Sequence, residues 1–297
     1  MRLPKNCQNR IKIKLNYPLS RHTTFRLGGK AEYFIKPCTV EDLKLLLKCL
    51  KRYNISYSII GLGSNLLISD QGKKGAVIQL SAPFFKKIKK ARNFIEAGAG
   101  CPLGAVVSYA VSLGLGGFEF LSGIPGTVGG AIVGNAGQAY KKRWMQDIVL
   151  SVTVMDAAGK IKAIPRDRIK FAYRASNLGK YIILSARFRF KAQKKEVIRR
   201  MIKDYCLYRR KKQLVSGFSA GCVFKNPKSQ SAGKLIDACG LKGKRIGGAY
   251  ISAKHANFII NDGRAKTSDI LSLMDLARLK VKRKFGIELQ PEIKIWK

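Results

Sequence analysis

The chain has 297 residues, with 58 Lys and Arg against 17 Asp and Glu and a formal net charge of +41. Its 46% hydrophobic and 9% aromatic content supplies packed cores and excludes disorder driven by charge repulsion. Seven cysteines without a C-x-x-C pair, and only two histidines, exclude a disulfide framework, a zinc ribbon and a His-rich metal site. Most of the cysteines read as small buried thiols in a reducing cytosol. The basic N-terminus MRLPKNCQNRIKIK has no apolar stretch of signal-peptide type, so a soluble cytoplasmic protein is expected. The basic residues are scattered rather than gathered in a tail, so charge does not separate a nucleic-acid partner from a solvated surface.

EYFIKP reads as a strand, and VEDLKLLLKCLKRYN as an amphipathic helix with Leu43, Leu46, Leu47 and Leu50 on one face. ISYSII is a strand running into a glycine turn, followed by the strands AVIQL and NFIEAGAG. PLGAVVSYAVSLGLGG has a helical pattern closing on Gly114, Gly116 and Gly117. IVLSVTVMDAAGKIKAIP reads as a β-hairpin turning near Ala157 and Lys160, and YIILSARFRF as a strand. Composition then shifts, which places a boundary at about residues 190–196. KKEVIRRMIKDYCLYRRKKQ is a basic helix with Val197, Met201, Ile202 and Tyr205 as its apolar stripe. AGKLIDACG is a short helix, HANFIIN a strand, TSDILSLMDLARLKVKRKFG a helix capped at Thr267 or Ser268, and ELQPEIKIW a closing strand. The mixed order without regular βαβ repetition indicates an α+β fold.

Two glycine-dense loops stand out. Gly61-Leu62-Gly63-Ser64-Asn65 follows an apolar strand, but Leu66 replaces the third glycine of a dinucleotide fingerprint, and no P-loop is present. Taken alone it reads as a tight turn. Ser122-Gly123-Ile124-Pro125-Gly126-Thr127-Val128-Gly129-Gly130 is denser still, with Asn135 and Gly137 beyond it. Two such loops point to a large phosphorylated cofactor lying along the backbone.

GLGSNLL, LSGIPGTVGGAIVGNAGQAY, FAYRASNL, SAGCVFKNP, AGKLIDACGLKGKRIGGAYISAKHANFIIN and QPEI occur in an order that resembles the UDP-N-acetylenolpyruvoylglucosamine reductase family, in its shorter form, from Asn16 to Trp296. The resemblance implies a two-part FAD-binding region of the vanillyl-alcohol-oxidase type, residues 1–80 and 81–192, followed by a smaller α+β substrate domain at 193–297. It implies the cofactors FAD and NADPH and reduction of UDP-N-acetylglucosamine enolpyruvate to UDP-N-acetylmuramate for peptidoglycan. NADPH passes hydride to FAD, flavin N5 delivers it to C3 of the enolpyruvyl group, and a protein acid protonates C2. No obligate protein partner and no membrane are implied, with nucleic acid bound only non-specifically through charge.

By the same resemblance, residues 61–65 and 122–130 contact FAD, and Thr23, Thr24, Arg26 and Gly28 support the FAD domain. Arg174 is a catalytic residue that binds the enolpyruvyl carboxylate and stabilises the developing enolate; without the motif around it, Arg174 would read as one more surface arginine. Cys222 stands where family members commonly have serine, and a thiol, with an unperturbed pKa of roughly 8.5, is the stronger acid for protonating C2. Glu292 matches a catalytic glutamate, with Glu288 as its decoy. Tyr173, Lys225 and Asn226 are placed to bind substrate. Lys212, in the run Arg209-Arg210-Lys211-Lys212, corresponds to a substrate-binding lysine. His255 and Asn257 read as structural or substrate-adjacent. Two other readings stay open: a different FAD oxidoreductase sharing only the N-terminal fold, and a nucleic-acid-binding protein.

Overall fold

The computed structural model of the chain describes residues 11–212, 217–228 and 230–297. They form two compact units that interleave along the sequence. The first comprises residues up to Leu15, Tyr33–Gly61 and Gly75–Arg209; the second comprises Asn16–Glu32, Leu62–Lys74 and Arg210–Lys297. The sequence reading had divided the chain into consecutive segments instead. Residues 62–74 join the second unit because their strand Leu66–Ile68 pairs in parallel with Lys294–Trp296.

The first unit opens with helix α1, Val40–Arg52. It begins at a capping box in which Thr39 Oγ1 accepts the Asp42 N–H (3.1 Å) and Asp42 Oδ2 accepts the Thr39 N–H (3.0 Å). The predicted stripe Leu43, Leu46, Leu47 and Leu50 is buried. With α1 the first unit holds residues 12–15, 33–36, 75–79 and Tyr57–Ile60 of a four-stranded sheet, in that order, the last two strands running parallel. The edge strand Lys12–Pro18 escaped the sequence reading because it is largely exposed and carries little apolar signal. A five-stranded antiparallel sheet follows the order Ile161–Pro165, Val149–Met155, Ile182–Phe188, Ile95–Gly98, Ile88–Lys90. Its hairpin turns at the predicted place, where Asp156 Oδ1 accepts the Ala158 and Lys160 N–H groups (3.0 and 2.9 Å). Helices α2 (Leu103–Ser112) and α3 (Val128–Val133) complete this unit's core with Val106, Val107, Val128 and Ile132. Helix α4, Lys195–Lys212, buries Ile198 and Tyr205; of the predicted stripe, Val197, Met201 and Ile202 are only half-buried.

In the second unit, α5 (Ala232–Ala238) and α6 (Thr267–Phe285) pack with a small antiparallel sheet of Arg245–Ile246, Ala249–Ile251 and Ile259–Asn261 around Phe25, Leu67, Phe224 and Leu273. The N-cap of α6 is Lys266, whose N–H is accepted by Asp269 Oδ2 (2.9 Å), rather than Thr267 or Ser268. The Thr267 hydroxyl is spent elsewhere, donating to Ile68 O at 2.7 Å. Gly286, at φ 68°, ends the helix in the left-handed conformation that glycine adopts without penalty. Pro291, which has no N–H, makes only an isolated bridge to Phe224, so the predicted closing strand shrinks to Lys294–Trp296. HANFIIN likewise yields only Ile259–Asn261, because the Asn257 side chain takes over the bonding there.

The cysteines depart from the expectation of small buried thiols. Cys101 is buried, and burial pushes its thiol up to about 11, partly opposed by Lys86. Cys38 and Cys206 are exposed, and Cys49 is disulfide-bonded. Among the described residues, no helix is long and apolar enough to cross a membrane, and no group of three His, Cys, Asp or Glu side chains is disposed to hold a metal.

The α1 cap gives a direct test. Thr39→Ala removes the acceptor for Asp42 N–H and is expected to cost about 1 kcal/mol, read as a lower urea midpoint at unchanged slope, whereas Thr39→Gly costs only a few tenths.

Candidate active site

In the first unit, the strand Tyr57–Ile60 delivers Gly61 against Thr127, so that a Cβ at Gly61 would lie 2.7 Å from Thr127 Oγ1. Gln79, itself buried, donates to Gly61 O at 2.9 Å and fixes the turn from the other side. The first glycine of one loop thus abuts the second loop. Thr127 N-caps α3 by accepting the Gly130 N–H (3.4 Å), and Val128 and Gly129 donate to Cys101 O and Ala99 O, both at 2.9 Å. Gly129 is glycine because a Cβ there would meet Ala99 Cβ at 3.2 Å. Part of the glycine density that suggested a cofactor therefore serves close passage of one chain segment over another.

What remains unexplained within the protein is Ser122. Its backbone is held by the turn bond to Glu119 O (3.0 Å) and by Gln138 Nε2 donating to Ser122 O (3.2 Å). Its hydroxyl oxygen is buried with no hydrogen-bond partner. A buried orphan hydroxyl is costly and uncommon. It fits a polar group of a cofactor such as FAD beside residues 122–130.

Arg174 occupies the second position of the two-residue turn Tyr173-Arg174, which joins the strands Phe171–Ala172 and Ala175–Ser176. Its φ is 57°, a left-handed conformation that costs an arginine on the order of 1 kcal/mol. The half-buried side chain donates from Nη1 to Gly137 O (3.4 Å), with its guanidinium carbon 5.5 Å from the Tyr173 ring centre. The tip of a two-residue turn favours a positive φ, and Arg26 and Lys142 share it at 55° and 47°, so this backbone marks the turn rather than the role of Arg174.

In the second unit, Cys222 is half-buried and bridges Phe258, in a segment clamped by Asn257. Asn257, 1% exposed, accepts the Phe224 N–H at Oδ1 (3.0 Å) and donates to Phe224 O (2.8 Å), while its own carbonyl accepts the Val223 N–H (2.9 Å). Glu292 N–H donates to Val223 O (2.8 Å), and Asn65 Nδ2 donates to Glu292 O (3.1 Å). The fold thus joins three widely separated predicted residues, Asn65, Cys222 and Glu292, through backbone neighbours one bond apart. Glu288, the decoy, pairs instead with Arg278 at 3.2 Å.

Other predicted residues fare differently. Asn226 Oδ1 accepts the Ala232 N–H (3.0 Å) at the start of α5, so its acceptor is occupied; Lys225 is half-buried. The side chain of Lys212 lies outside the described residues. Leu62, Gly63 and Ser64 belong to the second unit; Gly63, at φ 61°, would place a Cβ 2.0 Å from His22 O. Thr23, Thr24, Arg26 and Gly28, expected to support the FAD domain, fall in the second unit, where Arg26 lies over the Phe218 ring at 4.9 Å. Asn257 was legible in the sequence only as part of KHANF; its clamp depends on a partner 33 residues away.

Comparison with known proteins places these observations. Residues 31–164 match the FAD binding domain family, and residues 213–296 match the family described as UDP-N-acetylenolpyruvoylglucosamine reductase, C-terminal domain. The chain is 42% identical to the UDP-N-acetylenolpyruvoylglucosamine reductase of Caldanaerobacter subterraneus subsp. tengcongensis, over 96% of this chain and 93% of that one. It is 41% identical to that of Clostridioides difficile, over 98% and 95%. The structure superposes on the Thermus caldophilus UDP-N-acetylenolpyruvylglucosamine reductase with a TM-score of 0.83 and 36% identity, covering 97% of this chain and 99% of the other. A glucose dehydrogenase, Phl p 4.0202, shares the fold alone over 64% of this chain, at a TM-score of 0.51 and 17% identity.

His255 offers a pH test of this region. Burial pushes its imidazole below the ordinary value of 6.5, opposed in part by a backbone hydrogen bond and helped to a smaller extent by Lys242. The folded state therefore resists a proton that the unfolded chain accepts, so this contribution to stability is intact above the unfolded pKa and lost as pH falls through the folded one. His255→Gln should show a smaller loss of urea stability than the parent between about pH 7 and pH 5.

Proposed function

Because the chain belongs to the UDP-N-acetylenolpyruvoylglucosamine reductase family, and so is an FAD-binding oxidoreductase of peptidoglycan precursor synthesis, we propose that it reduces UDP-N-acetylglucosamine enolpyruvate to UDP-N-acetylmuramate with NADPH as reductant, in the cytoplasm. The observation that carries this reading is the linkage of Asn65, Cys222 and Glu292 through the Val223–Glu292 and Asn65–Glu292 bonds of 2.8 and 3.1 Å.

FAD, when bound, would supply the redox chemistry, a hydride relay from NADPH to the enolpyruvyl group. Ser122, with its orphan hydroxyl, and the loop residues 61–65 and 123–130 would hold the cofactor, Gly129 and Gly130 by packing rather than by donation, since their N–H groups go to Ala99 O and Thr127 Oγ1. Arg174 binds the substrate carboxylate in bidentate fashion and stabilises the negative charge that moves onto it as C3 gains hydride. Cys222 then gives its proton to C2, so that hydride and proton together saturate the double bond. Glu292 assists at the enol and carboxylate end, and Tyr173, Lys212, Lys225 and Asn226 bind the rest of the substrate. The clamp on Phe224 and Val223 gives Cys222 the fixed position that proton transfer requires.

The test separates the half-reactions. Purified protein should be yellow, and anaerobic NADPH should bleach the flavin absorbance, which the UDP-enolpyruvyl substrate should then restore. In Cys222→Ala, bleaching should proceed as in the parent while restoration slows about 100-fold or more, and Cys222→Ser should retain turnover. Full turnover in Cys222→Ala would remove the proton-donor assignment. Colourless protein that keeps nucleic acid through a high-salt wash would favour the binding-protein reading instead.

A further inference from the structure

Residues 133–137, from the last residue of α3 onward, continue the glycine-dense motif and bond to the Arg174 turn. Their alternate residues meet alternate residues of that turn. Val133 O accepts the Ser176 hydroxyl at 3.1 Å, Asn135 Nδ2 donates to Ala172 O at 3.1 Å, and Gly137 O accepts Arg174 Nη1 at 3.4 Å. Asn135 makes the middle one of these three bonds. It is 3% exposed and adopts a φ of 41°, a left-handed conformation that asparagine tolerates better than most residues. Its carboxamide is also locked to Gln146, accepting that residue's N–H (3.1 Å) and donating to its side-chain oxygen (3.0 Å). Gln146 is anchored in turn, its carbonyl accepting Arg166 Nε at 3.1 Å. A turn of two residues has few bonds of its own, and a strained arginine at its tip persists only where its surroundings over-determine it.

We propose that Asn135 is the positioning residue for Arg174: its buried carboxamide sets the turn that presents the guanidinium to the substrate carboxylate. The segment 133–137 then serves the substrate, while residues 122–130 serve the cofactor. Helix α3, Val128–Val133, carries the end of the one and the start of the other and packs against the strand Ala175–Ser176, so both are referenced to one element. This proposal rests on the reading of Arg174 as the carboxylate-binding residue.

Asn135→Gly is the informative variant, since glycine keeps the left-handed backbone and removes the carboxamide alone. In anaerobic stopped-flow work on the FAD-loaded enzyme, flavin content and the rate of bleaching by NADPH should stay within about twofold of the parent. Restoration by the UDP-enolpyruvyl substrate should slow about 10- to 100-fold, the scale expected for a misplaced catalytic group. The deciding measurement is the double variant: in an Arg174→Ala background, Asn135→Gly should change the restoration rate by less than about twofold, because the group it positions is gone. Multiplying effects, or an unchanged rate in Asn135→Gly alone, overturn the proposal. An Arg174→Ala enzyme with normal restoration overturns the underlying reading instead, and the two failures are distinguished by that single variant. Should Asn135→Gly not fold or not retain FAD, Ser176→Ala removes the bond at the other end of the turn. It should slow restoration several-fold in the parent and not in Arg174→Ala, and additivity there counts equally against the proposal.

Discussion

Asn65 closes the second unit across 227 residues of sequence. Its side chain donates to Glu292 O, and its carbonyl accepts the Lys294 N–H at 3.0 Å, which starts the parallel pairing of Leu66–Ile68 with Lys294–Trp296. Closing so long a loop is less forbidding than its length suggests, since each doubling of length adds only about 0.6 kcal/mol of lost entropy. The pairing is reinforced by the Thr267 hydroxyl on Ile68 O, and by Asp70, whose carboxylate oxygens accept the Thr267 N–H at 3.1 and 2.9 Å. Strand, terminal segment and α6 are thereby tied into one core around Leu67, Leu273 and Ile293. Without that closure Glu292 would have no fixed place beside Val223, and Cys222 would lose the neighbour that frames it.

Buried carboxamides do in this protein what charges do in many active sites. Asn135, Asn257 and Asn261 are each at most 3% exposed and satisfied at both donor and acceptor, and each reaches at least one group more than ten residues away in sequence. A satisfied buried network of this kind favours one arrangement strongly, because every alternative leaves a polar group unpaired in a medium of low dielectric. Asn257 clamps the segment that carries Cys222, and Asn135 bonds the strand that leads into the Arg174 turn.

The net charge of +41 contributes little to this architecture. The described ion pairs are mostly well exposed, with Arg187–Glu96 and Lys242–Asp237 typical, and such pairs are worth little. Asp262, held down to about 2 by hydrogen bonds from Arg245 and Arg264, is the clearest response of an acidic group to the surrounding excess of cations. Anionic substrates and cofactors reward a positive field by faster encounter. A few cations suffice for that, and nothing in the structure explains the remainder.

Sequence alone determined the elements whose signal is local. The leucine stripe of α1 repeats at the helical period, the hairpin at Asp156 has its turn residues in place, and the motif strings were enough to identify the family. Arg174, Cys222 and Glu292 came forward as candidates only through resemblance, since none differs locally from an ordinary arginine, cysteine or glutamate. Tertiary structure decided everything that rests on a distant partner: the membership of residues 16–32 and 62–74 in the second unit, the use of Thr267 as a tie rather than a cap, the breaking of the last strand at Pro291, and the left-handed backbone of Arg174. The physical reason is range. Periodicity and turn chemistry are written within a few residues, whereas a hydrogen bond between Asn65 and Glu292 leaves no trace in the sequence around either of them.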